Sequence, residues 1–153
     1  MRTMIGFFAA FALGAFSLVA LADSEPQLEG LKCPISKQAI DAEQFVEHNG
    51  GKVYFCCENC PGAFSKDNED HVARANHQLV ASHQATQAKC PISGGNTKDN
   101  QSVEVEGVTV NFCCKNCKAK VNGEEGDARL KLVFNADAFA KAFVVGDAEE
   151  AEE

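Results

Sequence analysis

The sequence predicts a small α+β fold made of two tandem hairpin-plus-helix modules, each stapled by cysteines, behind an amino-terminal export leader. Three observations predict it. The chain of 153 residues carries 8 cysteines, and the last four repeat the first four at a constant offset of 57. The residues around those cysteines repeat in the same register. A strand–turn–strand pattern separates the first cysteine of each set from the others.

The leader comes first in the chain. Arg2 supplies a positive start, Ile5 to Val19 is an apolar run, and Ala20-Leu21-Ala22 is a small-x-small cleavage pattern. Residues 1–22 are therefore expected to be a signal peptide, and 23–31 a linker. A retained anchor is the alternative. The run sits at the short edge of the roughly 17–25 apolar residues that a spanning helix needs, and polar sequence follows it. Export to the periplasm or the medium follows from this reading, with no membrane association once the leader is removed.

Composition narrows the function. The net charge is −8, and losing the leader removes only Arg2 from the charged set. An acidic surface disfavours nucleic acid and anionic membrane as partners. Met1 and Met4 are the only methionines, so no thioether ligand remains after cleavage. Modules of about 55 residues bury little apolar surface and usually need a staple.

The two copies are expected at 32–85 and 86–145, followed by an acidic, disordered tail at 146–153. Lys32-Cys33-Pro34-Ile35-Ser36 recurs as Lys89-Cys90-Pro91-Ile92-Ser93. Proline behind the cysteine predicts a tight opening turn. Phe45 to His48 and Lys52 to Phe55 then flank Asn49-Gly50-Gly51, a hairpin signal. Ser102 to Val105 and Val108 to Phe112 flank Glu106-Gly107 in the second copy. Each second strand runs into a cluster, Cys56-Cys57-Glu58-Asn59-Cys60 or Cys113-Cys114-Lys115-Asn116-Cys117, where a helix should start. Phe64 is expected to pack back on its hairpin, with Val121 as its counterpart.

Beyond this point the copies diverge. Asn68 should cap a helix from Glu69 to about Gln84, with Val72, Ala75 and Leu79 along one side. Thr86 to Ala88 reads as a linker. In the second copy Asn122 to Gly126 reads as a loop and Leu130 to Phe134 as a short strand. Asn135 or Asp137 would cap a last helix holding Phe139 and Phe143.

A hairpin returns the chain to its start, so the opening cysteine should meet the pair beyond the hairpin. This makes Cys33, Cys56 and Cys60 one candidate metal site, and Cys90, Cys113 and Cys117 the other. Thiolates at a helix start also gain from its positive end. Zinc and copper(I) are the ions that thiolate clusters select. Cys57 and Cys114 are additional candidate ligands or resolving thiols.

The spacing C-x22-C-x3-C, with Phe55 or Phe112 before the second cysteine, resembles the TRASH/YHS group of metal-binding domains, which are similar to treble-clef zinc modules. The matching residues are Cys33 to Ser36, Gly50, Tyr54 to Cys56, Cys60 and Phe64, then Cys90 to Ser93, Gly107, Phe112-Cys113 and Cys117. The resemblance implies a treble-clef-like ββα fold in each copy. It also implies heavy-metal binding by the three spaced cysteines, in sensing, trafficking or resistance. The partners expected are metal ions and another exported metal-handling protein. Two departures stand out. Ser36 and Ser93 occupy the second position of what would be a C-x2-C turn, and the Tyr-His-Ser string is missing.

Rival readings remain open at this level. Exported proteins with an even cysteine count commonly form disulfides, here Cys33 with Cys60 and Cys90 with Cys117. Cys57-x2-Cys60 and Cys114-x2-Cys117 allow a thiol–disulfide redox protein, although the surrounding βαβ pattern is missing. A structural staple under an interaction surface is the third. No phosphate loop or nucleophile triad stands out, so no enzymatic activity is expected. All four histidines, His48, His71, His77 and His83, fall in the first copy. His71 is the best outside candidate for a fourth ligand, and His77 is expected to be solvated or locally bonded.

Overall fold

A computed structural model describes residues 26–146. The expected signal peptide at 1–22 and nearly all of the expected acidic tail at 146–153 lie outside these residues. Among the described residues, no helix is long and apolar enough to cross a membrane.

The elements follow in the order β1 (Asp41–His48), β2 (Gly51–Phe55), α1 (Asn59–Ala63), α2 (Glu69–Ala81), β3 (Ala85–Gln87), β4 (Lys98–Val105), β5 (Val108–Phe112), α3 (Lys115–Asn122), α4 (Gly126–Phe134), α5 (Ala136–Ala142) and β6 (Phe143–Val145). β1 pairs with β2, β4 with β5, and β3 with β6, all antiparallel.

The duplication is structural as well as sequential. Val46 faces Val53 and Val103 faces Val110, each pair shifted by the same offset, and both hairpins carry an irregularity near their open end. Both turns hold two consecutive residues at positive φ: Asn49 (52°) with Gly50 (89°), and Glu106 (47°) with Gly107 (87°). That is the backbone a two-residue hairpin turn needs to match strand twist. Both ladders reach farther from the turn than the expected strands, and a small ββα unit results in each copy.

Three expectations fail here. Leu130 to Phe134 is not a strand. It is the end of α4, which buries Leu130, Val133 and Phe134. That spacing of i, i+3 and i+4 lines one helical face. Thr86 to Ala88 is not a free linker. Ala85, Thr86 and Gln87 pair with Val145, Val144 and Phe143. Phe143 consequently lies in β6 rather than in the last helix, which ends at Ala142. The predicted caps are present. Asn68 accepts from the N–H groups of Asp70 and His71, and Asn135 accepts from Ala138 N–H. α2 stops at Ala81, short of Gln84, because His83 adopts positive φ (64°).

The two copies share one core. α2 of the first packs on α4 and α5 of the second. A continuous apolar cluster runs from Val53 and Phe55 through Leu79 to Val110, Phe112 and Phe134. Gly51 lets α2 approach: a Cβ there would meet Leu79 Cδ2 at 2.7 Å. Its counterpart in the second hairpin, Val108, is half-buried.

Candidate metal centre

Each site is assembled from an opening turn and a helix start. Cys33 N–H donates to Gln38 O at 2.8 Å, and Lys37 N–H donates back to Cys33 O at 2.9 Å. Cys90 is held the same way, through Gly95 O at 2.9 Å and Gly94 N–H at 2.7 Å. These turns bury Cys33 and Cys90 almost completely. The hairpins then deliver Cys56 and Cys113 at the ends of β2 and β5, and α1 and α3 carry Cys60 and Cys117.

The expected trios come together. The sulfurs of Cys33, Cys56 and Cys60 all lie within 4.8 Å of one another, as do those of Cys90, Cys113 and Cys117. All eight cysteines are free thiols. Cys56 and Cys60 are 3.6 Å apart, and Cys113 and Cys117 3.7 Å. Thiolates sharing one ion at a metal–sulfur distance of ~2.3 Å stand about 3.8–4.0 Å apart in tetrahedral or trigonal arrays. The trios therefore fit a soft ion with little adjustment.

Cys57 stands beside the first trio, 3.8 Å from Cys56 Sγ and 3.5 Å from Cys60 Sγ, but outside the set in which every sulfur neighbours every other. Cys114 is 3.7 Å from Cys113 and likewise outside its trio. His71 does not join either cluster. Its ring stacks on Phe64, which itself packs on Phe55 of the hairpin as expected. His77 is neither solvated nor locally bonded: it is part-buried against the second copy, with its Nε2 3.2 Å from Val105 O and its ring against the edge of Phe134.

The electrostatics of the thiols differ from the sequence reading. Burial opposes ionisation of Cys33, yet the Ser36 N–H and hydroxyl, with the Cys56 and Ile35 N–H groups, outweigh it and bring the thiol down to about 7. Cys90 is likewise brought to about 7 against burial, by Ser93 and by the N–H groups of Cys113 and Ile92. Cys60 and Cys117, expected to gain from the helix start, are instead pushed up by burial and by neighbouring thiols, Cys117 to about 12. The amides at the helix starts act on the flanking residues. Asn59 N–H lowers Cys57, and Cys117 and Asn116 N–H lower Cys114. A bound cation would override these differences, since a coordinating thiol is deprotonated outright.

Ser36 and Ser93 have a role that ligand chemistry alone misses. Each hydroxyl lies 3.1 Å from the sulfur of Cys56 or Cys113 and also accepts an N–H within its own turn. They are placed to orient and polarise the thiols, and a neutral hydroxyl is itself a poor metal ligand. Their recurrence in both Cys-Pro-Ile-Ser turns is the signal for it. Gln78 adds a buried tie: its Nε2 donates to Lys32 O, beside Cys33, and to Tyr54 O, while its Oε1 accepts from Tyr54 N–H.

Fold and site together define a duplicated α+β protein with two three-cysteine clusters, each able to coordinate a metal ion. No family model matches the chain, and no curated protein or solved structure does either.

Proposed function

We propose that this is an exported, non-enzymatic protein that binds a soft metal ion at each of its two trios for trafficking, buffering or sensing. One observation carries the reading. Three sulfurs separated by a hairpin converge to ion-sharing distance, and the same convergence recurs at a constant offset. Copper(I) suits three thiolates without a fourth protein ligand, whereas structural zinc sites take four. The likeness to TRASH/YHS domains supports the same chemistry, and the leader pattern supports a place outside the cytoplasm.

The test is native mass spectrometry with elemental analysis on reduced protein from its own compartment. Two ions and eight unmodified thiols per chain are expected. Four disulfides and no metal would overturn the proposal. Replacing Cys33 and Cys90 with serine should weaken binding by more than the ~10- to 100-fold typical of outer-shell changes.

A further inference from the structure

Cys57 and Cys114 are left unused by the trios, and they recur at the same offset. We propose that these thiols are exchange ligands, through which each ion leaves its buried trio for a soft-donor acceptor in solution. The inference rests on the metal-binding reading above.

The geometry is that of two triangles sharing an edge. Cys33, Cys56 and Cys60 form the first, and Cys33 is buried beneath the opening turn. Cys56, Cys57 and Cys60 form the second, with separations of 3.8, 3.6 and 3.5 Å. Cys57 is only half-buried, so this second triangle faces solvent. An ion can therefore cross the Cys56–Cys60 edge without losing either of those ligands. The metal–sulfur bond to Cys57 forms as that thiol gives up its proton to water. The bond to Cys33 breaks, and Cys33 takes a proton back from water. The oxidation state of the metal stays the same and no sulfur is oxidised. The ion then stands on the open face, where an incoming donor can replace Cys57. In the second copy Cys113 lies 3.7 Å from Cys114 and 3.7 Å from Cys117, so Cys113 is the sulfur through which Cys114 can take over the ion there. A tethered thiol at this range has a far higher effective concentration than a free one.

The test uses the reduced full chain loaded with two equivalents of copper(I). Bicinchoninate serves as the chromophoric acceptor, and the wild type is compared with Cys57→Ser/Cys114→Ser. Competition at equilibrium reads affinity, and stopped-flow absorbance reads transfer. The expected result is transfer slowed by about tenfold, because the tethered donor is gone, with affinity changed by less than about threefold. Transfer at the wild-type rate overturns the inference while leaving the binding reading intact. An affinity loss of about 100-fold also overturns it, since these cysteines would then be resident ligands. A wild type that holds no copper(I) removes the binding reading itself. Circular dichroism checks folding, and Cys57→Ala/Cys114→Ala is the second variant. If neither pair folds, the two thiols are structural and the inference fails.

Discussion

At the scale of single residues, the serine behind each opening cysteine controls a proton. Ser36 and Ser93 help to hold Cys33 and Cys90 near 7, below the ordinary 9.0. A depressed acid stabilises the fold above its ordinary value, and that contribution fades as pH falls through the lowered one. Ser36→Ala/Ser93→Ala should therefore raise both steps in a thiolate-absorbance titration of the metal-free protein. The variant should also lose more stability at about pH 9 than at about pH 6, read by denaturant unfolding at each pH. An unmoved titration would remove the serines from this role. The turn residue Glu106 offers a second test. It holds positive φ (47°) where the first copy has Asn49. Asparagine tolerates that region better than glutamate, whose longer chain makes no local compensating bond. Glu106→Asn should raise unfolding stability by about 0.5–1 kcal/mol without altering metal stoichiometry.

At the scale of elements, two-stranded hairpins leave edges, and glutamines close them. Gln84 pairs with the N–H and C=O of Lys52, Gln78 with those of Tyr54, and Gln87 with those of Asn111. Each side-chain amide offers one donor and one acceptor, as a neighbouring strand would. Gln78 is the most buried of the three, so Gln78→Leu should cost about 1–3 kcal/mol and shift the denaturant midpoint at constant slope. Little of this edge pairing was legible in the sequence, because a glutamine says nothing about which distant strand it meets. The hairpins and trios were legible, since Asn49-Gly50, the alternating valines and the cysteine offset are local or repetitive signals. α4 was misread although its pattern was present: Leu130, Val133 and Phe134 share a helical face, but Leu132 beside them gave an apolar run that also suits a strand. The pairing of β3 with β6 joins residues far apart in the chain, and no local pattern marks it.

At the scale of the molecule, the duplication has not produced two independent beads. Asn76 on α2 donates to Phe134 O at the end of α4, and Arg74 and Lys37 both pair with Asp127. The Lys37–Asp127 pair is exposed and contributes little, whereas Arg74 is part-buried and also donates to Pro34 O. The apolar contact between α2 and α4, together with the β3–β6 ladder, joins the copies into one core. Elements that share a core unfold together, so the reduced, metal-free protein should show a single transition by circular dichroism and by fluorescence of Tyr54. Two separated transitions would mean that the copies are energetically independent. The shared core should also couple the sites. An ion that binds only the folded state stabilises it by about 2.7 kcal/mol at a hundredfold excess over Kd. In one cooperative unit, that gain protects both copies. Cys90→Ser/Cys113→Ser should abolish the second site, yet metal at the first should still raise the single melting temperature of the whole chain. Hydrogen exchange would show whether β4 and β5 share that protection. If only β1, β2 and α2 gain it, the common core transmits no stability between the two trios.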